Sequence, residues 1–216
     1  MDAIRFLSLD TLTKGKIEWC KWAALLAMTS DHVGMFMPQY SLLRIIGRMA
    51  FPLYACCIVS GAEKTRNSEQ YLLRLLLMAM ITQVPFSMMW GTMLNTLWTL
   101  ALGLAAILLD KKFGKCCGLV VVASAFFMQI SYSYLGIALV YGLWKLRHYR
   151  WELVLIAFCL AYSFIFKSMI ELWGIAAIAV IMFGPEVHKE MKKTFWYPQF
   201  AIQYAAVAFI AYLRSQ

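Results

Sequence analysis

Lys21-Trp22-Ala23-Ala24-Leu25-Leu26-Ala27-Met28-Thr29-Ser30-Asp31-His32 is the stretch from which the rest of this chain is read. It lies in the first strongly apolar segment and carries a cation at one end and an Asp-His pair at the other. Ionisable side chains inside a membrane span are costly, which marks them as functional candidates. Lys21 and His32 are eleven positions apart, so on a helix they complete three turns plus about 20° and share one face. Their separation along the axis is roughly 16 Å, about half the hydrocarbon thickness of a bilayer. That spacing suits a long substrate threaded part-way across a membrane.

The composition points the same way. Of 216 residues, 62% are hydrophobic and 14% charged, with a mean hydropathy of +0.69. A soluble domain carries about 25% charged residues. The apolar runs are continuous rather than alternating, which excludes a β-barrel. The expected fold is all-α: one polytopic integral-membrane helical bundle over residues 1–216. The net charge of +9 sits in short loops, as the positive-inside rule requires, and does not imply nucleic acid. Six cysteines show no metal-ligand spacing and read as small hydrophobes, so no metal is expected. The start of the chain lacks the pattern of a cleavable signal, and residues 2–12 read as a short interfacial piece.

About nine spans are expected, at roughly 17–37, 42–60, 71–90, 95–110, 115–130, 133–147, 151–167, 169–184 and 195–213. Basic clusters recur on one side: Arg5, Lys14, Lys16 and Lys21; Lys64, Arg66 and Arg74; Lys111, Lys112 and Lys115; Lys145, Arg147 and Arg150; Lys189, Lys192 and Lys193. The alternate loops Gly91 to Leu94 and Gln129 to Ser133 carry no cation. The N-terminus is therefore expected to be cytoplasmic and the C-terminus outside.

Arg44 and Arg48 break the charge trend on the outer side, four residues apart on one face. Asp31 is the nearest candidate partner, either as a packing pair or as part of a site. Asp31 and His32 diverge by about 100°, so His32 is expected to face the same cavity as Lys21. Lys167 is expected to pair with Glu171, four residues on. Pro52 and Pro85 free the carbonyls of residues 48 and 81. Such kinks suit either a cavity or simple packing. The loop from Glu63 to Asn67 is basic, either as a topology signal or as a phosphate-binding rim.

Lys21, Asp31-His32-Val33-Gly34 and Arg44-Ile45-Ile46-Gly47-Arg48-Met49-Ala50-Phe51-Pro52-Leu53 together resemble the TraX family of membrane proteins. So do Gly61, Thr65-Arg66-Asn67, Tyr71-Leu72-Leu73-Arg74-Leu75, Gln83-Val84-Pro85-Phe86 and Asn95-Thr96-Leu97-Trp98-Thr99-Leu100. The second half departs from the pattern. Phe200 stands where the family often has a histidine, and Ser131-Tyr132-Ser133 replaces an Asp-Tyr-Gly element. A cation followed at this spacing by a histidine is similar to the wider group of transmembrane acyltransferases.

The resemblance implies an enzyme that moves an acetyl group from cytoplasmic acetyl-CoA to an acceptor near the outer face. The acceptor would be a pilin N-terminal amine or a surface-glycan hydroxyl, and the location the bacterial inner membrane, among its lipids. Lys21, Arg66, Arg74 and Arg44 would bind the cofactor, with pantetheine along Leu25 and Met28. His32 would be the general base, Arg48 or Asn95 would stabilise the oxyanion, and Asp31 would orient the arginines. The residues leave open an acetyl-histidine intermediate and the oligomeric state. Two rival readings also stand: a transporter or scramblase, and a structural subunit of a conjugation or secretion apparatus.

Overall fold

A computed structural model describes residues 8–37, 39–114, 117–189 and 196–216. Arg5, Lys115, Cys116, Lys192 and Lys193, and most of the expected interfacial piece, lie outside the described residues. The described chain is all-α. It divides into two compact units, Met1–Lys64 with Gly142–Glu190 and Thr65–Tyr141 with Met191–Gln216.

The first unit opens with a 3-10 turn, Leu9–Thr11, and helix α1, Lys14–Phe36. The Thr13 side chain accepts the backbone N–H of Lys16 and so starts α1. Helices α2, Ser41–Gly47, and α3, Ala50–Lys64, correspond to the second expected span. They are separate because Pro52 offers no N–H to the carbonyl of Arg48, and the chain turns at Arg48 and Met49. Nearly every residue of α3 is buried, and Phe51 meets Phe158 of α8, Trp151–Phe166, at 5.8 Å between rings. The eighth expected span is a 3-10 helix, Met169–Ala176, running into the short α9, Ala177–Phe183. Lys16 donates to the carbonyls of Met182 and Gly184, and Trp19 donates to Val180 at 3.0 Å. Lys16 thus serves carbonyls in and just past the last turn of α9, while the Val180 carbonyl also accepts the Gly184 N–H at 3.1 Å.

The second unit contains α4, Ser68–Trp90; α5, Thr96–Phe113; α6, Gly118–Ser124, extended by a 3-10 turn at Ala125–Phe127; and α10, Pro198–Ser215. Helix α7, Ser133–Lys145, contributes its first nine residues. Asn67 caps α4 and Gly91, at φ +61°, ends it. Helix α4 runs unbroken through Pro85. Helices α5 and α7 pack closely at Gly103, where an added Cβ would come within 2.6 Å of Val140. Leu94 and Ile130 form an isolated parallel bridge, with Leu94 N–H to Gln129 and Ser131 N–H to Leu94, both at 2.8 Å.

Two described helical stretches are long and apolar enough to cross a membrane: Ser41–Lys64 and Ser68–Trp90. Among its described residues, the fifth expected span contains only ten helical ones, Gly118–Phe127, and reaches its far end as extended chain. The 61% burial of Ser41–Lys64 is that of a core helix, whereas α4 is only 22% buried. Its Leu73, Leu77, Met80, Ile81, Val84 and Met88 form an exposed apolar stripe at helical spacing.

Candidate functional site

The first unit brings together Asp31, Arg44, Arg48 and Glu171. Helices α1 and α2 approach closely because Gly47 faces Asp31, and a Cβ there would collide with the carboxylate. Arg48 Nη2 donates to Asp31 Oδ1, Arg48 Nη1 to Glu171 Oε1 at 2.9 Å, and Arg48 Nε to the carbonyl of Arg44 at 3.3 Å. Arg44 Nη1 lies 3.5 Å from Asp31 Oδ1. The expected partnership of Asp31 with the two arginines is thus present. The expected pair between Lys167 and Glu171 is not. Lys167 ends α8 in a left-handed conformation at φ +50°, while Glu171 turns to Arg48.

The cluster holds two cations and two carboxylates, so its formal charge is zero. Arg48 is the least exposed member, with 11% of its side chain accessible, against 35% for Arg44. The planar guanidinium suits this arrangement because one fork can serve two carboxylates at fixed geometry. The arrangement ties α1, α2 and the 3-10 helix at one point.

Lys21 and His32 lie on one unbroken helix, α1, and both are half-buried. Lys21 Nζ meets Glu18 Oε1 at 2.6 Å, and Glu18 is buried. Glu18 was invisible to spacing arguments centred on basic residues. Leu25 is half-buried, but Met28 belongs to the core, so the intervening face is packed rather than open.

Arg66, Arg74 and Asn95 belong to the second unit. Arg66 is exposed in the turn before α4, and Arg74 is half-buried, with Tyr197 as a hydrogen-bond partner. Asn95 is fully buried and caps α5 by accepting from Leu97 N–H at 2.9 Å. Its amide donates to the Ala79 carbonyl at 2.8 Å and to Gln83 Oε1 at 3.0 Å. Both amide hydrogens are therefore used, and the geometry gives Asn95 a structural task instead of a place at an oxyanion.

A second ionic group in the first unit was not anticipated. Arg147 lies 3.2 Å from Asp10, His148 also meets Asp10, and Trp144 Nε1 donates to Glu63 at 2.6 Å. With Leu9 N–H donating to the Arg147 carbonyl, it fastens the first 3-10 turn to the end of α7. The participating residues are far apart in sequence, so no local pattern signals the contact.

No solved structure matches the chain. Among curated proteins it is similar to a probable fimbrial assembly protein FimC, serogroup H1, of Dichelobacter nodosus. The two are 32% identical over 107 residues, covering 41% of this chain and 44% of the relative. This chain thus spans less than half the length of that protein. A family model described as TraX protein matches residues 16–211, nearly the whole sequence, and the chain belongs to the TraX family.

Proposed function

We propose that the chain is an integral-membrane acetyltransferase that takes acetyl from cytoplasmic acetyl-CoA and passes it to a pilin or fimbrial subunit. The observation that carries this reading is the unbroken helix α1, which bears Lys21 and His32 on one face and has its Asp31 turn tied by arginines. Family membership and the fimbrial relative favour a pilus-related acceptor over a glycan. The exposed apolar stripe of α4 favours a membrane-embedded chain, because a core helix of a soluble protein would be mostly buried; the full reading is a polytopic bundle in the bacterial inner membrane.

In this reading Lys21 attracts the phosphates of CoA, and its Glu18 partner must yield part of that contact. His32 takes a proton from the acceptor amine as the nitrogen attacks the thioester carbonyl. The C–N bond forms, the C–S bond breaks, and CoA leaves as its thiol after receiving a proton. Arg44, more exposed than Arg48 and with a longer contact to Asp31, is the donor proposed for the oxyanion. In the second unit, Arg66 and Arg74 are proposed separately as cationic contacts for phosphate.

The test is transfer of radiolabelled acetyl from acetyl-CoA to a pilin N-terminal peptide by the protein purified in detergent. Wild type should label the peptide, and His32→Ala should lose at least about a hundredfold in rate, the scale of a general base. Peptide labelling that survives intact in a folded His32→Ala protein would sink the mechanism. Absence of acetyl-CoA binding by wild type would move the transporter and structural-subunit readings forward.

A further inference from the structure

We propose that Glu171 is a positioning residue for the acetyl-transfer reaction, acting through Arg48 on Asp31 and so on the turn of α1 that carries His32. The inference rests on the acetyltransferase reading and deepens it. Glu171 lies 123 positions from Arg48 along the chain and on a different element.

The 3-10 helix is built to make this contact. With three residues per turn, positions i and i+3 stack on one side, so Glu171 and Gly174 face the same way. Gly174 allows a close approach: a Cβ there would lie 3.3 Å from the Arg48 carbonyl and 3.0 Å from Cys159 Sγ of α8. Thus Glu171 takes the Arg48 side chain while Gly174 sits against the Arg48 backbone. That backbone carbonyl is the one released by Pro52. Arg48 is consequently held from three sides: Asp31 on α1, Glu171 on the 3-10 helix, and the Arg44 carbonyl on α2.

Charge balance explains why the fourth group is needed. Asp31 alone would face two guanidinium groups, and the less solvated of them, Arg48, would have to share its one carboxylate with Arg44. Glu171 restores neutrality and takes one side of the Arg48 fork. The other side then stays on Asp31, whose backbone leads directly into His32. Without Glu171, Arg48 loses one of its two carboxylate anchors, and the guanidinium that holds the Asp31 turn is fixed less firmly.

The experiment compares wild type, Glu171→Gln, Glu171→Asp, Asp31→Asn and the Asp31→Asn/Glu171→Gln double variant. Each is purified in detergent, with thermal unfolding as the fold control. For Glu171→Gln, the expected result is about a tenfold lower kcat for acetyl transfer, with KM for acetyl-CoA within about twofold of wild type. Glu171→Asp should restore most of the rate, because it keeps the charge. In the Asp31→Asn background, removing Glu171 should cost nothing further, since a residue acting through another shows no separate effect. Additive losses, or a change confined to KM, would overturn the proposal.

A second readout does not depend on activity. Hydrogen exchange of the α1 peptide covering residues 29–34 should quicken in Glu171→Gln and return toward wild type in Glu171→Asp. Unchanged exchange in Glu171→Gln would overturn the positioning role. If wild type transfers no acetyl but this exchange pattern holds, the functional reading fails while the coupling of Glu171 to the His32 turn survives.

Discussion

Glu18 Oε1 sits 2.6 Å from Lys21 Nζ, one turn apart on α1, with only 6% of the carboxylate side chain accessible. Removing the lysine alone takes this ion-pair partner from a buried carboxylate. Lys21→Ala is therefore expected to cost about 3 kcal/mol, read as a lower thermal midpoint in detergent. Lys21→Ala/Glu18→Gln should recover most of that loss. Acetyl-CoA binding is best measured in the double variant, where a missing signal reports on the cation rather than on misfolding.

Asn95 and Gln83 form one structural unit, because Gln83 Oε1 accepts from both the backbone N–H and the side-chain amide of Asn95 at 3.0 Å. Asn95→Ala should cost about 2 kcal/mol or more, from a lost helix cap and unpaired buried groups. The loss in Gln83→Ala/Asn95→Ala should fall well short of the sum of the single losses. Thermal unfolding of the three variants checks this.

Ser133 adopts φ +50°, directly after Tyr132 at φ +64°. A left-handed conformation costs a non-glycine residue roughly 1–2 kcal/mol. The TraX-like pattern has glycine where this chain has Ser133. Ser133→Gly should therefore stabilise the protein by about 0.5–1 kcal/mol after the extra entropy of glycine is subtracted. A thermal midpoint at or below that of wild type would contradict this account.

The α4 stripe gives a direct test of membrane embedding. Val84 is 70% exposed near Pro85. If lipid covers that surface, Val84→Lys carries an insertion penalty smaller than the roughly 2.5–3.5 kcal/mol of a span centre, because Val84 lies in the C-terminal third of α4. The variant should be recovered at reduced level in the carbonate-resistant membrane fraction. Recovery equal to wild type would indicate that α4 faces water or lies near the membrane surface.

The sequence exposed some parts of this organisation more readily than others. The partnership of Asp31 with the arginines was legible because Arg44 and Arg48 break the charge trend and Asp31 is the nearest candidate carboxylate. Glu171 was misassigned because Lys167 offers a partner at ideal helical spacing, whereas the chain there leaves the α-helical path. Pro52 announced a kink in the second expected span, which the structure makes a break between α2 and α3, whereas α4 runs unbroken through Pro85. The ten-residue helix at 118–127 did not follow from hydropathy, which measures apolar length without distinguishing helical from extended backbone. Asn95 looked available as a polar residue beside apolar helices, but its cap and its contact with Gln83 depend on the packing of α4 against α5.

The pairing of Leu94 with the 129–131 segment uses main-chain groups on both strands. Its hydrogen bonds consequently require only an N–H at positions 94 and 131, whatever the side chains there. Proline is the one residue that abolishes the clasp outright at either position. The side chains answer to a separate demand: Ile130 is buried with Ala125 and Ile137, and Leu94 packs against them, so the clasp sets the path of the two loops while an apolar cluster holds them to the helices beneath.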